Sequence, residues 1–158
     1  LGDVYKRQRH RLLAPQSGAM GYGLPAAIAA ALAYPNRQIV CFAGDGDLQM
    51  GLAELGTAVQ HGANLIILVL NNGAYGTIRM HQERKYPSRV SGTNLHNPDF
   101  AAVAKAFGMK GFCVRKTEDF AGAFAEANQS KTGALLELIV SVEAITPMKT
   151  IADLRSGG

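Results

Sequence analysis

At 158 residues and 47% apolar composition, the chain has the size and core content of one domain, and none of its apolar runs reaches the length of a membrane span. Its formal net charge of +4 comes without a basic stripe, because lysines and arginines are scattered apart from Lys6 to Arg11 and Arg84-Lys85. That distribution argues against nucleic acid as a partner and leaves phosphate-bearing ligands open. Cys41 and Cys113 have neither metal-ligand nor disulfide-framework spacing, which suits a reducing cytoplasm.

Leu1 to Gln8 is polar and without periodicity, and its D-V-Y-K-R-Q looks like a translated sequencing adapter. It is set aside as a non-native segment, 1–8, ahead of a domain expected over 9–147 and a short, loosely held polar tail over 148–158. Gly18, Gly21 and Gly23 lead into Leu24-Pro25, and an Ala-rich run to Ala33 predicts a helix from Pro25, with proline in the tolerated first turn. Tyr34 to Arg37 makes a turn. An apolar run, Ile39 to Ala43, then stops at Gly44-Asp45-Gly46, and a second, Leu65 to Leu70, stops at Asn71-Asn72-Gly73. Both read as buried parallel strands. Between them Leu48 to His61 has helical length, with Leu48, Leu52, Leu55 and Val59 on one face and Gly62 as the stop.

From Gly73 to Thr93 the pattern is irregular, as expected of a long loop at a functional edge. Within it Arg79, His81 and Arg84 either meet a substrate carboxylate or form a solvated helix face, the second reading being preferred. His61 and His96 have no partner pattern and read as structural or exposed. Asn97-Pro98-Asp99 starts a helix, with Asn97 as its cap and Phe100, Val103, Ala104 and Phe107 facing the core before Gly108. A strand follows at Gly111 to Arg115, a helix capped by Thr117 runs to Asn128, and Ala134 to Val142 is the last strand. The order from Gly18 is α-β-α-β-α-β-α-β, an α/β fold with a doubly wound, mostly parallel sheet and helices on both faces.

In a β-α-β unit both strands run the same way, so Asp45 and Asn72 emerge side by side at the carboxyl edge, where ligands of open α/β sheets bind. A carboxylate and an amide oxygen are hard ligands, suited to Mg²⁺ or Ca²⁺. Gly44 and Gly46 allow close backbone approach, and the amides opening the next helix face the same spot. A dinucleotide fingerprint fits poorly, because Gln49 stands where its third glycine is required and Asn71-Asn72 where its acidic ribose ligand belongs.

G-D-G at Gly44 to Gly46, then Asp47 to Leu70, then Asn71-Asn72 resembles the thiamin-diphosphate signature. Ser17 to about Pro147 is similar to the carboxy-terminal diphosphate-binding domain of the acetolactate synthase-like, or decarboxylase, group of thiamin-diphosphate enzymes. S-G-A-M-G-Y-G-L-P-A-A, A-E-L-G-T-A-V and N-P-D-F-A-A-V-A-K-A-F-G carry the resemblance further. It implies that Asp45, the Asn72 side chain and the Ala74 carbonyl hold Mg²⁺, with phosphate on the amides of Gly46 and Asp47. Asp47 contributes backbone alone, since many relatives have Ser there and its charge would repel a diphosphate. The Gly18 carbonyl is expected to bind the aminopyrimidine, Met20 to wedge between the rings, and Tyr75, Gly76 and Thr77 to lie close to the cofactor. The implied activity is decarboxylation of a 2-oxo acid and ligation of the enamine to a second carbonyl compound. A simple 2-oxo acid decarboxylase, an aldehyde lyase and an inactive structural module are the alternatives. The family's activating Glu lies on a pyrimidine-binding domain of a partner subunit in a homodimer or homotetramer. No residue of this chain is therefore assigned as catalytic, and the isolated chain is expected to be inactive.

Overall fold

The computed structural model describes residues 12–156, so the expected adapter-like segment lies outside the described residues. The elements, in chain order, are α1 (Gly23–Ala33), β1 (Val40–Gly44), α2 (Asp45–Met50), α3 (Glu54–Gln60), β2 (Ile66–Asn71), α4 (Gly76–Lys85), α5 (Phe100–Ala106), β3 (Lys110–Val114), α6 (Thr117–Asn128), β4 (Ala134–Ile139) and α7 (Ile151–Arg155). The strands form a sheet in the order β1-β2-β4-β3, every neighbouring pair parallel. This is the doubly wound arrangement that the alternation of elements implies.

Strand side chains alternate between two cores, as a period of two requires. Cys41, Ala43, Ile67, Val69 and Leu135 pack with Leu24 and Ile28 of α1, Leu55 of α3 and Phe100 of α5. On the other face Ile66, Leu68 and Leu136 pack with Phe120, Phe124 and Ala127 of α6. Helix α6 covers the β3–β4 half of that face. Edge strand β1 is consequently only half-buried, with Phe42 70% exposed, where the apolar run had suggested full burial.

The helix expected over Leu48 to His61 is two helices. Gly44, with extended φ −73 and ψ 159, is the N-cap of α2, so the helix opens at Asp45, and Gly51 is its C-cap. Turn bonds from the Gly51 amide to the Leu48 carbonyl and from the Glu54 amide to the Gly51 carbonyl carry the chain into α3. The break resets the helical phase: Leu48, Leu55 and Ala58 are buried, whereas Val59 turns outward. Gly62, at φ +66, ends the unit as expected. Asp99 rather than Asn97 caps α5, accepting from the Ala102 amide. Thr117 opens α6 but leaves the cap position to Lys116, and no side chain closes it.

Helix α5 lies unusually close to β3. An ideal Cβ on Gly111 would fall 2.1 Å from the Ala101 carbonyl oxygen, so only glycine lets this backbone pair approach. Gly111→Ala is expected to destabilise the fold by about 2 kcal/mol or more through overpacking, measured as a lower urea midpoint; an unchanged midpoint would show that the layer yields freely.

Two further departures are linked. The stretch expected to be a long loop contains α4, and the segment expected to be a loose tail contains α7. Thr150 and Asp153 form a capping box on α7, and Ile151 is buried beneath it. Glu83 of α4 is fully buried and takes a forked contact from Arg155, with Nη2 to Oε1 at 2.6 Å and Nε to Oε2 at 3.0 Å. The Ser88 amide also donates to Oε2, at 2.8 Å. The Arg155 hydrogen bonds outweigh burial and lower the Glu83 carboxyl from 4.5 to about 2. A carboxyl lowered on folding stabilises the fold above its ordinary value, and that contribution fades as the group is protonated. The stability advantage of wild type over Glu83→Gln should therefore be full above pH 4.5 and shrink as pH falls toward about 2. Denaturant midpoints across that range check this, and a gap that stayed constant would contradict it.

Candidate functional site

Strand register places the site. β1 and β2 pair in parallel with Gly44 opposite Leu70, so Asp45 and Asn72 leave the same carboxyl edge one and two residues later. They line a cleft of about 340 Å³. Every residue expected near the cofactor lines it except Gly18: Met20, Gly44, Asp45, Gly46, Asp47, Asn72, Ala74, Tyr75, Gly76 and Thr77. Leu70, Ile78, Ala144 and Ile145 add an apolar wall that no motif signalled. A second hollow of about 220 Å³ opens beyond the opposite, amino edge, among Arg37, Gln38, Asn64 and Ser130. It contains no carboxylate, and the carboxyl-edge cleft is the candidate site.

Asp45 is 2% exposed. Its Oδ1 accepts from the Gly46 amide at 3.0 Å, and its Oδ2 from the Gly73 amide at 2.8 Å and Asn97 Nδ2 at 2.7 Å. Asn72 Oδ1 accepts from the Ala74 amide at 3.0 Å, an Asx turn that folds the chain back at the strand end. The turn is braced by a short antiparallel contact: Ala74 bridges to Asn94, the Leu95 amide donates to the Gly73 carbonyl, and the Tyr75 amide donates to the Thr93 carbonyl.

Asp47 reaches the glycine loop. Its Oδ1 accepts from the Gly21 amide at 2.6 Å, tying α2 to the glycine loop before α1 and bringing Met20 to the cleft. Gly18, at φ +67, is exposed and does not line the cleft. Arg79 is not on the cleft either; its Nη1 donates to Asn94 Oδ1 at 2.9 Å. His81, Arg84, His61 and His96 are exposed and stand outside it, which agrees with the solvated reading. Cys41 is buried beneath the glycine loop, and burial, with the Asp47 charge nearby, pushes its thiol up to about 11.

Asn97 is the Asp45 partner that the pattern concealed. N-P-D reads locally as a helix start, and Asn97 looks like the cap until the fold brings its amide onto a carboxylate 52 residues earlier. No local signal distinguishes it from Asp99.

The family model described as "Thiamine pyrophosphate enzyme, C-terminal TPP binding domain" matches residues 3–138. The chain belongs to this family. The match to the thiamin-diphosphate-binding domain begins within the Leu1 to Gln8 stretch and continues into β4. The domain is 41% identical over 132 residues to the mitochondrial acetolactate synthase catalytic subunit of Saccharomyces cerevisiae, covering 83% of this chain and 19% of that protein. It is 36% identical over 126 residues to acetolactate synthase of Arthrospira platensis, covering 78% and 22%. Among solved structures, the thiamine diphosphate-dependent 4-hydroxybenzoylformate decarboxylase of Rhodococcus jostii superposes with a TM-score of 0.75 at 35% identity, over 80% of this chain and 24% of the other. The chain thus spans about a fifth of the length of the curated relatives it matches. Among the described residues no helix is long and apolar enough to cross a membrane.

Glycine at position 46 is a steric requirement of the domain. An added Cβ would lie 2.5 Å from Tyr75 Cε1 and 3.0 Å from Leu95 Cδ1, so the tyrosine ring lies directly over the helix opening. Gly46→Ala should cost about 1–3 kcal/mol in unfolding free energy, and Tyr75→Ala in the same chain should recover much of it. A double mutant no more stable than Gly46→Ala would show that the ring is not the obstacle.

Proposed function

We propose that the carboxyl-edge cleft holds thiamin diphosphate through Mg²⁺, and that the chain is the cofactor-binding part of an acetolactate synthase-like enzyme. The observation that carries the reading is the state of Asp45. It is a carboxyl group nearly cut off from solvent, and among the described residues no Lys, Arg or His forms an ion pair with it. Burying such a group is unfavourable unless a cation offsets it. Its Oδ2 already accepts two hydrogen bonds and its Oδ1 only one, so acceptor capacity remains on Oδ1. Asn72 Oδ1 accepts a single bond, and the Ala74 carbonyl completes a set of hard oxygens of the kind Mg²⁺ prefers. The residues present fit the metal.

Asp45, Asn72 and Ala74 would hold Mg²⁺, with the remaining positions filled by phosphate and water. The amides of Gly46 and Asp47, in the first turn of α2, would donate to phosphate where the helix dipole favours an anion. Asp47 keeps its charge off that anion by bonding Gly21. Met20, Tyr75, Gly76 and Thr77 would position the organic part, and the apolar wall at Ile78 and Ile145 would limit water. When bound, the thiamin group supplies the electron sink for decarboxylation. This chain supplies orientation and charge compensation, while proton transfer to the cofactor is assigned to a Glu on the pyrimidine-binding domain of a partner subunit in a homodimer or homotetramer. The isolated chain is accordingly inactive, and the assembled enzyme acts in the cytoplasm.

The substrate is a small 2-oxo acid, decarboxylated and then joined to a second carbonyl compound. The acetolactate synthase relatives support the joining step. The decarboxylase neighbour favours a second reading, in which decarboxylation ends the reaction.

Calorimetric titration of thiamin diphosphate, with and without Mg²⁺, into the full-length enzyme tests the assignment. Binding should require Mg²⁺ and weaken by at least about a hundredfold in Asp45→Ala, more than outer-shell changes usually cost. A folded wild-type oligomer that binds nothing would leave an inactive structural module instead. Product analysis with a 2-oxo acid, with and without an acceptor carbonyl, separates the two enzymatic readings.

A further inference from the structure

The bonds around Asp45 continue back into the sheet. Asn97 Nδ2, which donates to Asp45 Oδ2, also donates to Asn71 Oδ1 at 2.8 Å. Asn71 Nδ2 in turn donates to Glu137 Oε1 at 2.7 Å. Glu137 lies within β4, flanked by Val69 of β2 and Cys113 of β3, and is 4% exposed. Central parallel strands normally carry aliphatic residues at such positions, and a buried carboxyl is costly unless it is partnered. Among the described residues no Lys, Arg or His pairs with Glu137; its hydrogen-bond partner is the Asn71 amide.

The amide directions in this chain are determined by groups that can act in only one way. The Gly73 amide can only donate, and it donates to Asn71 at 3.1 Å, so Asn71 must present its oxygen there and its nitrogen to Glu137. Asp45 can only accept as a carboxylate, so Asn97 must present its nitrogen. Gln49 Nε2 donates to Asn97 Oδ1 at 2.5 Å, which agrees with that direction. Turning the Asn71 amide would set its nitrogen against two donors, and it would also lose the acceptor that opposes the turn, Glu137 Oε1.

We propose that Glu137 is a positioning residue for metal binding: through Asn71 and Asn97 it holds the Asp45 carboxylate with Oδ2 occupied, so that Oδ1 faces the cation. The proposal rests on the reading of Asp45 as an Mg²⁺ ligand. Outer partners of this kind orient a ligand without touching the metal, and their loss typically weakens metal binding by about ten- to a hundredfold.

The test is Mg²⁺ affinity of the full-length enzyme, read by calorimetry in the presence of thiamin diphosphate, alongside thermal unfolding without either. Glu137→Leu removes the acceptor and should weaken Mg²⁺ binding by about ten- to a hundredfold, whereas Glu137→Gln, which keeps an oxygen for Asn71, should stay close to wild type. Asn97→Ala breaks the chain at a half-buried position and should weaken Mg²⁺ binding in the same way. Combining it with Glu137→Leu should add little, because both act through one path. Glu137→Leu that melts earlier yet binds Mg²⁺ as wild type does would reduce Glu137 to a packing role and overturn the proposal. Multiplicative losses in the double mutant would overturn it as well. If Glu137→Leu does not fold, Asn97→Ala decides, and wild-type affinity there is the contrary result. An unaltered wild-type enzyme that binds thiamin diphosphate without Mg²⁺, or Asp45→Ala that binds as wild type does, would remove the Asp45 reading and this inference with it.

Discussion

A carboxyl group held almost out of solvent, with three N–H donors around it and, among the described residues, no basic side chain paired to it, is the constraint on which the rest of the molecule depends. Asp45 could not occupy that position in a sheet whose strands ran in opposite directions, because the Gly73 turn that donates to it must emerge from the neighbouring strand at the same edge. The all-parallel order β1-β2-β4-β3 meets that condition. It also gathers the polar strand ends of β1 and β2 at one edge, leaving the strand interiors mostly apolar.

The short helix after Asp45 serves the same end. Because α2 ends at Gly51 and the chain turns before α3, the first turn of α2 is free to set its own direction. Its amides open onto the cleft while Leu48 still reaches the core. Asp47 then bonds back to the glycine loop. Asp45 thus bonds to the turns at the carboxyl edge, and Asp47, two residues on, fastens the loop that carries Met20. Two carboxylates in one short segment are thus given different hydrogen-bond partners.

Around this edge the irregular segments are held by polar ties more than by apolar burial. The Asx turn at Asn72 is braced by the bridge between Ala74 and Asn94. Glu83 and Arg155 fasten α7 to α4, close to the segment that contributes Ala144 and Ile145 to the cleft wall. Ser88, a non-glycine residue at φ +61, is held by the hydrogen bond that its amide donates to Glu83. The same carboxyl therefore supports both a strained turn and the terminal helix.

Sequence alone determined the parts of this protein that depend on local periodicity and spacing. The four strands, the helices on both faces, the stop at Gly62 and the meeting of Asp45 with Asn72 follow from apolar runs of strand length and the parallel geometry of a β-α-β unit. The thiamin-diphosphate signature lay in one contiguous stretch for the same reason. Tertiary structure decided whatever depends on a distant partner. Val59 left the core because a turn at Gly51 reset the helical phase, and Arg79 went to Asn94 rather than to the cleft. Thr150 and Asp153 cap α7 locally, but folding alone supplied Glu83, 72 residues earlier, as the buried carboxyl that ties Arg155 down. Asn97 carried no local mark, and Glu137 stood out only as an acid in an apolar strand, since the partners of both are groups that folding places beside them.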